Sequence, residues 1–178
     1  IVDASLRQQV LEELVAIEDT EQVEKDDRLK RVVTKNDSYL CRKVIIACGL
    51  LHFPRRLPVL DALESKKVFY KVPKIGDYDG QHVTVVGGGD SALDAAIMAL
   101  QRHAAVDLVC REETPIGKAD SVERIEALGG TLRRGVEVAE AQFEGQSLRL
   151  SLSDGSELTT DYAVVQIGFL SAKETFQR

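Results

Sequence analysis

The residues with the clearest chemical meaning are Gly87-Gly88-Gly89-Asp90-Ser91-Ala92, a G-x-G-x-x-A spacing that follows the apolar run His82 to Val86 without a gap. A pyrophosphate needs donors that can approach it closely, and the start of a helix offers unpaired backbone N–H groups at a positive dipole end. Glycines clear side chains from that approach. Gly87 is expected to turn the chain out of the strand, Gly89 to let the backbone reach the phosphates, and Ala92 to let the helix pack close to the sheet. Asp90 and Ser91 fall in the first helical turn, where each could cap the helix or touch the ligand.

The surrounding elements fit that reading. His82 to Val86 reads as a short strand, and Asp90 to His103 as a helix with Ala92, Leu93, Ala96, Ile97 and Leu100 on one face. Val106 to Cys110 reads as a second, parallel strand, so the segment has the order strand, glycine turn, helix, strand that holds a dinucleotide. The choice of dinucleotide is normally made at the end of that second strand. There Arg111 could pair with a ribose 2′-phosphate, whereas Glu112 would repel one or accept from a 2′-hydroxyl. NADP(H) and NAD(H) both remain open.

Around this unit the chain reads as follows. Leu6 to Glu18 has the apolar spacing of an amphipathic helix, and Gln22 to Lys25 with Leu29 to Lys35 have the alternation of a hairpin. Tyr39 opens a run ending in Val44 to Gly49, expected to be a strand buried on both faces. Residues 50 to 80 carry Pro54, Pro58 and Pro73 around a strand-like Val68-Phe69-Tyr70 and read as a crossover. Beyond Cys110 the pattern gives a helix from Ala119 to Leu128, stopped by Gly129-Gly130, and a strand from Thr131 to Val138. Ala141 to Phe143, Leu148 to Leu152 and Glu157 to Thr160 form a β-meander with Asp154-Gly155 as a turn, and Ala163 to Ile167 is a buried strand.

The fold class expected is therefore α/β, a Rossmann-like NAD(P)-binding domain with a parallel sheet and a β-meander. The 178 residues suffice for one domain plus part of another, and 44% hydrophobic with 29% charged residues is ordinary globular composition. A net charge of −6 with interspersed basic residues argues against nucleic acid. The sequence has no apolar run long enough to span a bilayer and no signal-like start, so a cytoplasmic protein without membrane partners is expected. Cys41, Cys48 and Cys110 form no C-x-x-C pair, so they are expected to be buried thiols and no metal site is expected. A redox-active Cys48 or Cys110 is the weaker alternative.

Val83 to Ala92 with its Gly-Gly-Gly-Asp-Ser-Ala run, the strand end Val44 to Gly49 and the strand end Val164 to Phe169 together resemble the FAD-dependent pyridine-nucleotide oxidoreductases of the low-molecular-weight thioredoxin reductase type, including the thioredoxin-reductase-like ferredoxin-NADP reductases. The resemblance covers most of the chain. It implies an NAD(P)H domain inserted into a discontinuous FAD domain. Residues 1–50 would be the C-terminal part of the first FAD segment, 51–170 the NAD(P)H domain with its links, and 171–178 the start of the return. It also adds Ile167 and Gly168 to the cofactor-binding residues. No N-terminal FAD glycine motif is present, so FAD is expected only if further segments are supplied.

Two departures matter. Val72 to Gly80 has no cysteine where thioredoxin reductases carry their C-x-x-C pair, and the family's His-Arg-Arg at the second strand end is Cys110-Arg111-Glu112 here. A further Arg of the family falls near Ile116 and Lys118, so only Arg111 carries over and NADH becomes a competitor. The resemblance implies hydride transfer from nicotinamide to FAD, with a redox protein as electron acceptor and a homodimer as open partners. No acid, base or nucleophile is assigned. The rival reading is a non-catalytic nucleotide-binding or interaction module derived from such an enzyme.

Overall fold

The computed structural model describes residues 14–19, 30–45, 54–63, 67–72 and 78–170. The chain forms two compact units, one made of residues 1–53 and 169–178, the other of residues 54–168.

In the first unit, β1 (Leu14–Asp19), β2 (Lys30–Thr34) and β3 (Ser38–Cys41) form an antiparallel sheet in that order. The helix expected over Leu6 to Glu18 is thus corrected at its C-terminal end, and residues 6–13 lie outside the described residues. Leu14-Val15-Ala16-Ile17 is a short continuous apolar run that suits a helix or a strand equally, and pairing with β2 decides it. The expected hairpin partner Gln22 to Lys25 lies outside the described residues. So do residues 46–49 of the run expected to be a buried strand. Val44 and Ile45 belong to no strand, and Ile45 is exposed, because no strand among the described residues pairs with them beyond Cys41. Cys41 is only half-buried, with its thiol 3.7 Å from the Lys30 carbonyl, so the expectation of a buried thiol fails there.

The second unit is built on a five-stranded parallel sheet. Its strands are β4 (Val68–Phe69), β5 (His82–Val86), β6 (Ala105–Cys110), β7 (Thr131–Arg134) and β11 (Tyr162–Val165), in the spatial order β4-β11-β5-β6-β7. β5 and β6 are largely apolar and buried on both faces because both faces are covered, as is usual for a parallel sheet. On one face lie α2 (Asp90–Leu100) and α3 (Ala119–Ala127), where Ala92, Leu93, Ala96 and Ile125 meet Val83, Val85 and Leu108. On the other face lies an antiparallel meander of β8 (Val138–Glu144), β9 (Ser147–Leu152) and β10 (Glu157–Thr160). Alternation in β9 sends Leu148, Leu150 and Leu152 inward against Val86, Val109, Ala163 and Val165. A short helix, α1 (Pro58–Asp61), adds Leu60 to the same core.

Two expectations change in this unit. The strand over Thr131 to Val138 is two strands, because Gly135 adopts φ +68°, a left-handed turn that ends β7 before Val138 opens β8. A Cβ at Gly135 would also overlap the Glu113 carboxylate. The helix expected to reach His103 ends at Leu100, and His103 itself sits at φ +60° in the turn that leads into β6.

The order of strands matters for function. β5 lies between β11 and β6: from β5 the chain builds outward on one side through β6 and β7, and only after the meander does it return to place β11 on the other side. In open α/β sheets such a switch of direction leaves a crevice outside the carboxyl ends of the strands.

Candidate functional site at the carboxyl ends of β5, β6 and β11

That crevice is present here as a cleft of about 570 Å³, within the range of small-molecule pockets. Its floor is the glycine turn. Gly87 leaves β5 at φ +137°, with its amide on the Val109 carbonyl at 2.9 Å. A Cβ there would overlap the Gln166 carbonyl that follows β11, so only glycine lets these three strand ends meet. Ala92, fully buried, packs 3.2 Å from that same Cβ position, which accounts for the small residue at the start of the helix.

α2 begins immediately afterwards. Gly89 is its N-cap residue, with extended dihedrals and no side-chain cap. The amides of Ala92 and Leu93 donate to the Gly89 carbonyl at 2.9 and 3.1 Å. The amides of Gly88, Gly89, Asp90 and Ser91 meet no acceptor among the described residues; for Gly89 to Ser91 this follows from their place at the start of the helix. A Cβ built on Gly89 meets nothing within 4 Å, so the backbone there is open. Free donors at a helix N-terminus are chemically able to hold an anion.

Neither Asp90 nor Ser91 acts as the cap that the sequence allowed. Asp90 instead accepts the Lys118 amide at 2.9 Å, and the Gly117 amide donates to the Gly88 carbonyl at 3.0 Å. The loop after β6 is thereby tied against the glycine turn. That loop carries Arg111 and Glu112. Its other edge is held by the amides of Gly135 and Val136, which donate to the carbonyls of Glu112 and Cys110 at 3.3 and 3.2 Å.

Glu112 receives two donors, Arg111 Nε at 2.8 Å and the Cys110 thiol at 3.3 Å. Those hydrogen bonds, the Arg111 one first, hold the carboxyl below its ordinary range. Burial, and then the Glu112 contact, push the Cys110 thiol up from its usual value. Cys110 is 1% exposed, and burial together with the Glu112 contact disfavours its thiolate form. Cys48 lies outside the described residues.

Of the ten residues singled out by sequence, nine line this one cleft: Gly87, Gly88, Gly89, Asp90, Ser91, Arg111, Glu112, Ile167 and Gly168. Ala92 lies beneath it in the core. The sequence reading missed Arg55 and Leu57, whose segment is brought in when the Arg55 amide donates to the Gly168 carbonyl at 2.9 Å. It also missed Val136, Glu137 and Val138 at the meander side, and the exposed Ile116. Only the exposed apolar Ile116 within a polar loop offered a local signal. The other residues arrive through long-range pairing. Among the described residues no cluster of His, Cys, Asp or Glu could hold a metal ion, and no helix is long and apolar enough to cross a membrane.

The chain is similar to known proteins over most of its length. A ferredoxin–NADP reductase from Streptococcus agalactiae is 30% identical over 165 residues, covering 86% of this chain and 49% of that protein. One from Pediococcus pentosaceus is 36% identical over 98 residues, covering 53% of this chain and 30% of its own. This chain thus spans at most about half the length of these two relatives. The crystal structure of Lactococcus lactis thioredoxin reductase shares the fold, with a TM-score of 0.70 at 20% identity over 91% of this chain and 54% of that one. The family model for pyridine nucleotide-disulphide oxidoreductases matches residues 10–178. With that match over nearly the whole sequence, the chain belongs to the pyridine nucleotide-disulphide oxidoreductase family, whose members are oxidoreductases that use FAD and NAD(P).

Proposed function

We propose that residues 54–168 are the NAD(P)H-binding portion of a flavin-dependent oxidoreductase, in which hydride passes from nicotinamide to FAD. The observation that carries this is the set of four amides, Gly88 to Ser91, that have no acceptor among the described residues and line a cleft at the switch point of a parallel sheet. The donor set suits a pyrophosphate, and the open backbone at Gly89 gives it access. Arg111, Glu112, Ile167 and Gly168 line the same cleft and complete the proposed contacts. A dinucleotide held by these residues would supply hydride chemistry toward the family's flavin.

The chain's own residues then do three things. The Gly88 to Ser91 amides hold the phosphates, the loop tied by Asp90 and Gly117 closes one side, and the strand end Ile167-Gly168 bounds the other. No side chain in the cleft is needed as acid or base, because hydride transfer asks for orientation. Residues 1–53 and 169–178, the other compact unit, belong on this reading to the flavin side. The names of the relatives point to a redox protein such as ferredoxin as the final electron acceptor. The absence of a C-x-x-C pair in 72–80 supports an acceptor other than a dithiol in this unit.

Calorimetric titration of the purified chain with NADH and with NADPH tests this. Saturable binding of at least one, with a dissociation constant below about 1 mM, is expected. Absence of binding by both up to that concentration would overturn the proposal.

A further inference from the structure

We propose that Glu112 makes this cleft select a dinucleotide with a free ribose 2′-hydroxyl, NADH, over its 2′-phosphorylated counterpart; this rests on the dinucleotide reading above.

The geometry sets the carboxylate in place from several directions. Glu112 follows the tip of β6, and its Oε2 lies 3.3 Å from a Cβ built on Gly88, so the charge stands beside the glycine turn itself. Its backbone is pinned by Gly135, and its neighbour Cys110 by Val136. The side chain is held by one buried donor, the Cys110 thiol, and one exposed donor, Arg111. With 31% of the side chain exposed, Glu112 still reaches the cleft that it lines. A carboxylate has about four lone-pair sites, and two are taken, which leaves capacity for the two hydroxyls of a ribose diol.

The same arrangement disfavours a phosphate. Arg111 is the only cation between Cys110 and Lys118, and it is paired with Glu112. Its side chain is 72% exposed, so the pair is weak and Arg111 can swing away to meet an incoming phosphate. The carboxylate then stays where the buried thiol holds it, and a dianion would sit against an uncompensated negative charge. Like charges placed together at an interface are strongly disfavoured. The third pocket-lining side chain of the loop, Ile116, offers no charge to offset this.

The test is a parallel titration of the intact chain, Glu112→Gln and Arg111→Ala with NADH and NADPH at low ionic strength, with circular dichroism to confirm folding. The native chain should bind NADH at least about tenfold more tightly than NADPH. Glu112→Gln should bring the ratio toward unity, mainly by tightening NADPH, and Arg111→Ala should widen it. If NADPH binds the native chain as tightly as NADH, this inference is wrong while the dinucleotide site stands. If NADH is preferred but Glu112→Gln leaves the ratio unchanged, the preference exists and Glu112 is not its source. If neither ligand binds, the dinucleotide reading falls and this one with it.

Discussion

Gly88 and Cys110 are packed so closely that a Cβ on Gly88 would overlap the Cys110 sulfur. The second glycine of the turn is therefore fixed by the neighbouring strand as well as by any ligand. Gly88→Ala should destabilise the protein by about 1–3 kcal/mol through overpacking. In Gly88→Ala/Cys110→Ala the combined loss should be smaller than the sum of the two single losses by about 1 kcal/mol or more, because removing the sulfur makes room. Urea unfolding of the four proteins checks this. Strict additivity would mean that the two residues are not in conflict.

Gly89 gives the opposite result. Its Cβ position is open and its dihedrals suit any residue, so a side chain there should be tolerated. Gly89→Asp places a capping carboxylate on the free amides and should raise stability by a few tenths of a kcal/mol. The same carboxylate occupies the donors proposed for the phosphates, so dinucleotide binding should weaken by at least about tenfold. A variant that is stable and still binds at native affinity would contradict the placement of the phosphates.

A charged cluster lies on the meander-side face of the parallel sheet, where Asp107, 6% exposed, lies 2.6 Å from both His82 Nε2 and Arg133 Nε. The hydrogen bond to Asp107 raises the His82 pKa above its ordinary 6.5, against the opposing effect of burial. Burial pulls the Asp107 carboxyl upward, but the hydrogen bonds and charges of His82 and Arg133 outweigh it and leave it below its ordinary value. Because His82 is raised in the folded state, its stabilisation is complete below 6.5 and fades as pH rises through the folded value. Asp107 behaves inversely, and its contribution is lost as pH falls below 3.8 through its own folded value. Urea midpoints measured from about pH 6 to pH 9 should decline for the native protein, and His82→Gln should flatten that part of the decline.

Thr84, on the same sheet face, has a fully buried hydroxyl with no hydrogen-bond partner among the described residues. Thr84→Val keeps the shape and removes the unpaired group, so it should stabilise the protein by about 1 kcal/mol. Thermal unfolding would show a higher midpoint. A drop would imply that the hydroxyl finds a partner in solution.

How much of this was readable from residues alone follows from where the determining forces act. The β5 strand, glycine turn, α2 and β6 were legible because apolar runs, glycine positions and helical spacing lie within one local stretch. The meander was legible through the alternation of Leu148, Leu150 and Leu152. β1 was misread because four consecutive apolar residues carry no period, and its pairing with β2 lies beyond any local window. Gly135 was passed over as part of a strand, although its positive φ makes the break that lets Gly135 and Val136 pin the Cys110 and Glu112 carbonyls. The roles of Asp90 as a tie to Lys118, and of Arg55 beside Gly168, depend on contacts across 28 and more than a hundred residues, and no spacing announces them.

The central claim is that the amides at the start of α2 receive the paired phosphates of a dinucleotide. Amide chemical shifts followed during addition of NADH test it at the level of single residues. The largest changes should fall on Gly88, Gly89, Asp90 and Ser91, with smaller ones at Arg111, Glu112 and Gly168. Saturable binding that leaves those four amides unmoved, with its shifts on another face of the protein, would contradict the claim.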